Sequence, residues 1–466
     1  MSTVSAGPGI HESALASLRP QFRGDLIQPG DAAYEAARQV HNAATDRHPA
    51  LIAQATDTAD VMAAVRFGRE QGLTIAVRGG GHHGAGFGTV DDGLVIDLGA
   101  MRGVRVDPAA KTARVEGGAR LSDVDHATHA FGLALAAGVI STTGVAGLTL
   151  GAGVGHLTRH FGLTIDNLLE ADIVLASGEL VRASAEENAD LFWALRGGGG
   201  NFGVVTSFLF RLHPVSTVMF GPTLYELDKA PEVLRWYREF MAQAPDDLSG
   251  FFAFLVVPPV PPFPEALHLR KMCGIVWCYS GPQEKAEAVL APVRSFGPPA
   301  LDGIGPAPFP AVQTAFDGLY PAGQYMSWRS DMLDDIPDAA IEQHLRFAPD
   351  LPSVPSTVHF YPIDGAAHRV GTPDTAFSYR DARWAMTIVG VGRERSDLPA
   401  LRAWTKTYWE AVHPYGMGGG YVNFFGDEGQ DRVRQTYRDN YDRLTRIKAH
   451  YDPDNLFHLN QNIRPA

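Results

Sequence analysis

Between positions 79 and 84 the chain reads Gly-Gly-Gly-His-His-Gly. From Gly138 to Gly155 it passes through a long run of small residues. That run has too many glycines for a helix and too little apolar–polar alternation for an ordinary strand. It reads as backbone laid against something large. With Gly at 50 and Pro at 32 of 466 positions, the chain is built for tight turns and close approach of backbone to a ligand. The 79–84 run matches G-x-G-x-x-G after a predicted strand. The dinucleotide fingerprint also requires a helix opening at the loop and an acidic residue ~20 residues further on. Here AGFGTVDDG follows, which is turn and strand material, so a Rossmann helix cannot start. What remains is either a plain glycine turn or a nest of backbone N–H groups, which binds phosphate without a helix.

Composition narrows the partners. At ~100–200 residues per domain the length suggests two or three domains. Apolar residues at 45% and charged residues at 20% describe a globular chain with a large core. Lys and Arg number 39 against 52 Asp and Glu, a formal charge of −13 with no local basic stripe, so nucleic acid is not an expected partner. Cys273 and Cys278 are the only cysteines, which excludes a disulfide framework and a Cys-rich metal site. Five residues apart on one strand, they point to opposite faces and cannot pair. His82 and His83 on an extended loop also point apart, and no carboxylate or cysteine set accompanies them, so no metal is expected. Residues 1–30 lack the basic and apolar regions of a secretory signal, and no window reaches ~18 uninterrupted apolar residues. The expectation is a cytoplasmic protein without a membrane partner, its oligomeric state left open.

The chain divides in three. Residues 50–215 form a Gly-rich α/β region: a strand at Leu51–Ala55, a helix from about Thr58 (the expected N-cap) to Gly72, and a strand at Leu73–Val77, long enough for a parallel crossover. Further strands are expected at Leu94–Leu98, Val104–Val106 and Thr112–Val115, then a helix capped by Ser122 and stopped by Gly132. From 216 to 415, prolines crowd the chain and strand-like runs at Phe251–Val257, Cys273–Tyr279, Val358–Tyr361 and Trp384–Val391 predict a second domain, an antiparallel sheet with covering helices. Residues 416–466 suit a return to the first domain.

Four motifs in order identify a family. RGGGH at 78–82, GVISTTGVAG at 138–147, GAGVGHLTRHFGLTIDNLLEADIV at 151–174 and DLFWALRGGGGNFGVV at 190–205 resemble the berberine bridge enzyme-like FAD-linked oxidases of the vanillyl-alcohol-oxidase (PCMH-type) flavoprotein superfamily. Tyr421-Val-Asn423 and YDPDNLFHLNQNI at 451–463 match the same group's closing segment. The resemblance implies an α+β fold of two domains, a PCMH-type FAD-binding domain (1–215, completed by 416–466) and an antiparallel-sheet substrate domain (216–415). It implies FAD bound covalently through His82, because a neutral imidazole nitrogen is a competent nucleophile near neutral pH. Many relatives add a thioether from the Cys of C-P-T-V-G-x-G-G. That position holds Ile140, so a single link is expected. By the same resemblance the loop Gly79, Gly80, Gly81, His82 and His83 takes the pyrophosphate, Arg78 before it is a further cofactor-binding residue, and Ser141, Thr142, Gly144, Gly147, Gly151, Gly153 and His156 lie along the cofactor. Ile173 and Val174 come near the reactive face of the ring, and Tyr421, Asn423, Asn460 and Asn462 reach it from the C-terminal return.

The resemblance is weakest at the catalytic base. Relatives place a carboxylate six residues after the Arg of an [HY]-R motif. Here Tyr379-Arg380 is followed by Met386. Others use the last tyrosine of Y-x-N-Y, which here is Phe424. The Tyr of a Y-P turn is kept as Tyr361-Pro362, so Tyr361 is the expected base, with His359 and Tyr279 as further candidates. At an ordinary pKa of ~10 its phenol needs a cation or hydrogen bonds to lower it. The implied activity is removal of a hydride from a C–H bearing O or N of a bulky small molecule, with O₂ reduced to H₂O₂. A dehydrogenase using another acceptor and a non-catalytic flavin-binding protein are the alternatives. Phe251, Phe252, Trp277, Tyr325, Trp328, Phe360 and Trp384 suggest a bulky substrate, or else core packing.

Overall fold

The computed structural model describes residues 10–466; the first nine positions of the segment read for a secretory signal lie outside them. Strands Leu51–Gln54, Leu94–Asp97 and Ile75–Arg78 run parallel, and Asp25–Ile27 adds an antiparallel edge. The crossover is the helix Thr58–Glu70, whose buried Val61, Ala64, Val65 and Phe67 cover this sheet. Each large side chain so buried contributes ~1.5–3 kcal/mol. Its N-cap is Asp57, not Thr58: the Asp57 carboxylate accepts from the Asp60 N–H at 3.0 Å, a stronger acceptor than a hydroxyl.

A second, antiparallel sheet orders Val104–Asp107, Thr112–Glu116, Val204–Arg211, Leu168–Val174 and Leu180–Ser184. Helix Leu121–His129 starts two residues earlier than expected and caps on Arg120, because the Asp123 carboxylate reaches back to the Arg120 N–H at 2.8 Å. The small-residue stretch does contain a helix, Val145–Leu150. Local glycine propensity is overridden there by burial of Val145, Ala146 and Leu150 in the core beneath the second sheet.

The third sheet is antiparallel and eight-stranded. Its path runs Leu301–Asp302, Thr217–Glu226, Lys271–Tyr279, Leu248–Val256, Thr357–Pro362, Trp384–Gly392 and Tyr325–Leu333, with Gly305–Pro308 paired beside it on Thr217–Glu226. Cys273 and Cys278 share one strand but lie in two different cores. The last helices, Gln430–Tyr437 and Tyr441–Tyr451, bring Tyr437, Tyr441, Leu444 and Ile447 into the core that also holds Leu191, Trp193 and Phe208. Lys448, fully buried, ties this segment down by donating to the Asn201 and Phe457 carbonyls and to Asp452. No helix among the described residues is long and apolar enough to cross a membrane.

Candidate functional site

One large cavity lies where the first two sheets, the C-terminal return and the eight-stranded sheet meet, enclosing about 1840 Å³ of empty space out to its mouth. Its floor is the 79–83 loop against the 138–151 segment. A Cβ on Gly80 would collide with the backbone nitrogen of Gly144, and one on Gly144 with that of Gly80. Two chain segments thus meet backbone to backbone, which only glycine permits at both positions. Gly147, also on the wall, has no protein atom within 4 Å of its would-be Cβ.

Of the residues singled out by sequence, Arg78, Gly79, Gly80, Gly81, His82, His83, Gly144, Gly147, Gly151, Tyr361, Tyr421, Asn423 and Asn460 line this cavity together. Among the described residues Arg78 is the one Lys, Arg, Asp or Glu on the wall, and its guanidinium is committed elsewhere. It pairs with Asp97 at 2.9 Å and donates to the Ala37 carbonyl at 2.6 Å. An anionic ligand here is therefore met by backbone amides rather than by a free cation. Tyr421 accepts at its hydroxyl from the Gly153 and Val154 N–H groups and from Asn423 Nδ2, and Asn423 also donates to the Leu148 carbonyl. Asn460 Oδ1 and the Tyr437 hydroxyl are buried without a partner at the wall, ready for a polar ligand.

Several expected positions fall elsewhere. Ile173 and Val174 belong to the hydrophobic core, where the strand Leu168–Val174 is sandwiched between two neighbours. Gly203, which does line the cavity, packs onto Ile173. His156 sits off the wall among Phe220, Phe251 and Phe316, and burial pushes it down to about 3. Gly153 serves the cavity through Tyr421, whereas Asn462 lies off the wall, its backbone carbonyl accepting from Gln430 Nε2. Ser141 is bound by Asp317, its N–H at 2.9 Å and its hydroxyl at 2.5 Å. Thr142 shares a 3.0 Å hydrogen bond with His82 Nε2. Tyr279 is occupied with the Pro282 carbonyl in another core. Of the aromatic set read for a substrate, only Trp328 reaches the cavity; Phe252, Trp277, Phe360 and Trp384 pack under the eight-stranded sheet.

The two histidines of the loop are separated as expected. His82 stacks on His41, ring centroids 3.8 Å apart, while His83 lies tilted by 31° against Phe87. Burial, with smaller contributions from His41 and Arg120, pushes His82 down to about 3, which favours the neutral imidazole. His41 and Tyr320 were missed: a lone histidine and a lone tyrosine carry no spacing signal. Gly199 and Gly200, also on the wall, were visible in the GGGG run.

On the opposite wall, strand alternation puts His359 and Tyr361 on one face of Thr357–Pro362. The Tyr361 hydroxyl and His359 Nδ1 share a 2.7 Å hydrogen bond. Burial raises Tyr361 well above 10, reinforced by Tyr320, and lowers His359 to about 3. Among the described residues no cation acts to lower the Tyr361 phenol, and burial works the other way. Tyr361 is therefore a neutral phenol, not a phenolate.

Comparison with known proteins agrees with this cavity. Residues 49–184 match the model of an FAD binding domain, and residues 420–464 match that of the "Berberine and berberine like" family. An FAD-linked oxidoreductase of Dictyostelium discoideum is 32% identical over 422 residues, 90% of this chain and 89% of that protein. The crystal structure of 6-hydroxy-D-nicotine oxidase from Arthrobacter nicotinovorans superimposes with a TM-score of 0.83 at 26% identity, covering 96% of this chain and 98% of that one. A glucooligosaccharide oxidase from Acremonium strictum, described as carrying 6-S-cysteinyl, 8α-N1-histidyl FAD, gives 0.85 at 25% identity, covering 98% and 100%. A roomy cavity with a glycine floor, backbone donors and unpartnered polar atoms fits such a cofactor, and the chain belongs to the berberine bridge enzyme-like family of FAD-linked oxidoreductases.

Proposed function

We propose that the cavity holds FAD attached through His82 alone, bound by residues 1–215 and 416–466, with residues 216–415 covering its reactive side. The flavin supplies a two-electron acceptor, which takes a hydride from a C–H bearing O or N and passes the electrons to O₂, giving H₂O₂. The neutral His82 imidazole on the cavity wall carries the attachment, since an uncharged ring nitrogen is nucleophilic. The single link is supported by Ile140, a wall residue with no thiol. Cys273 and Cys278 are buried away from the wall, and burial pushes both thiols up to about 12.

The substrate lies between the flavin and Tyr320, Trp328, Tyr361 and Phe424, a wall of aromatic faces without a carboxylate. It suits an uncharged, ring-bearing molecule. Relatives named for a nicotine and for oligosaccharides make amines and sugars the classes to screen first. As a neutral phenol, Tyr361 takes a substrate proton only while handing its own to His359 Nδ1, 2.7 Å away. That relay becomes favourable as the hydride departs and the substrate's O–H or N–H turns acidic.

Acid precipitation tests the attachment and peroxide release the activity. The native precipitate is expected to stay yellow, and the His82→Ala precipitate to lose its flavin while His83→Ala keeps it. A colourless native precipitate, or release by His83→Ala instead, overturns the assignment. An air-saturated panel of amines, sugars and aromatic alcohols is expected to yield peroxide. Turnover only with an artificial acceptor identifies a dehydrogenase.

A further inference from the structure

We propose that Thr142 sets the tautomer of His82 and receives the proton that His82 sheds on bonding to the flavin. This rests on the attachment proposed above, and adds a positioning residue to it.

A neutral imidazole carries one N–H and one lone pair, and only the lone-pair nitrogen attacks. Thr142 Oγ1 lies 3.0 Å from His82 Nε2 and makes no other side-chain hydrogen bond among the described residues; His82 Nδ1 has no partner. With the hydrogen on Nε2 donated to Thr142, the lone pair resides on Nδ1, free for the cavity. The other tautomer would put the hydrogen on Nδ1, the nitrogen without a protein partner, and leave the lone pair tied up against Thr142. His41 holds the ring plane by stacking on it, and is itself pinned by its N–H to the Gly81 carbonyl at 3.1 Å. The threonine is equally well braced. Asp317 grips Ser141 before it, and the Thr143 carbonyl after it accepts from the Leu121 N–H at 3.0 Å.

The step balances. The bond between Nδ1 and the 8α carbon forms, and one C–H of that methyl breaks, its proton leaving to solvent and its electron pair going into the isoalloxazine. The alkylated ring would be a cation, which its surroundings disfavour, so the Nε2 proton passes to Thr142 Oγ1 as that half-buried hydroxyl gives up its own proton to solvent. Oxygen then removes the two electrons as H₂O₂.

The full-length chain, prepared flavin-free from riboflavin-starved cells, is mixed with FAD in air. Covalent flavin is followed by fluorescence in denaturing gels and by intact mass, and non-covalent affinity by filtration at early times. Thr142→Val is expected to bind FAD as the wild type does but to form the covalent adduct about tenfold more slowly, the share of one hydrogen bond. Thr142→Ser restores a rate within about twofold. NMR of the histidyl flavin from a proteolytic digest of the wild type is expected to show the Nδ1 isomer. A wild-type rate in Thr142→Val, no rescue by serine, or an Nε2 isomer each overturns the role of Thr142 and leaves the His82 attachment standing. A wild type that binds FAD but never gains its mass overturns both.

Discussion

Replacing Arg380 with methionine removes a buried guanidinium that clamps the segment around Asp166 to the covering part of the chain. Arg380 meets both oxygens of Asp166, at 2.8 and 2.7 Å, and also donates to Thr375 Oγ1 at 2.9 Å and the Ala367 carbonyl at 3.2 Å. Its side chain is 3% exposed and that of Asp166 7%. In the variant, Asp166 keeps only the Leu163 N–H, at 2.9 Å. A carboxylate left in that position costs ~3–5 kcal/mol. Against a typical total of ~5–15 kcal/mol that is a large fraction. Pairing the change with Asp166→Leu removes the orphaned charge, so the double variant is expected to recover most of the loss, as hydrophobic replacements of buried pairs do. Urea unfolding of the four proteins, followed by tryptophan fluorescence and far-UV circular dichroism, gives the cycle. A loss below about 1 kcal/mol in Arg380→Met would refute the reasoning, because that is the scale of a solvated surface pair.

Gly147→Ala meets no protein atom and lies within a helix, so the flavin-free protein is expected to melt at the same temperature or slightly higher; weaker FAD retention would come from the methyl entering the cofactor's space, and unchanged retention argues that the flavin lies elsewhere. Asp125, buried beside Gln313 and Asp317, is raised to about 8, chiefly by burial. Its protonated form is the one that folding favours, so the stability it contributes is full below its unfolded value of ~4 and is lost as pH rises through about 8. Asp125→Asn is therefore expected to flatten the fall in melting temperature over that window; parallel curves for the two proteins refute the shift. Tyr361→Phe is expected to keep bound flavin yet lower its reduction rate ~10²–10⁴-fold in anaerobic stopped flow, and an unchanged rate makes Tyr361 a wall residue. Because Tyr361 and His359 both stay neutral, that rate should be flat from about pH 5 to pH 9 for a substrate that does not itself titrate; a clear inflection there refutes their pairing.

The glycine runs, the paired histidines, Ile140 and the order of the motifs were legible in the chain itself, because each depends on what a residue type lacks or carries: no Cβ, an imidazole, no thiol. The parallel crossover and the two-fold alternation of the long strands were legible for a similar reason, being local periodicities. What a side chain faces is decided by packing, and here the chain alone misled. Arg78 is spent on Asp97, and Ile173 and Val174 are sealed in a core by strands arriving from distant positions. The stack of His41 on His82 joins segments 41 residues apart in the chain, and Thr142 reaches the same ring from 60 residues away. Most telling is Tyr361, whose identity marks a proton carrier. Only its burial beside His359 decides that it works as a neutral phenol, because the cost of charging a group depends on the dielectric and partners that the folded chain assembles around it.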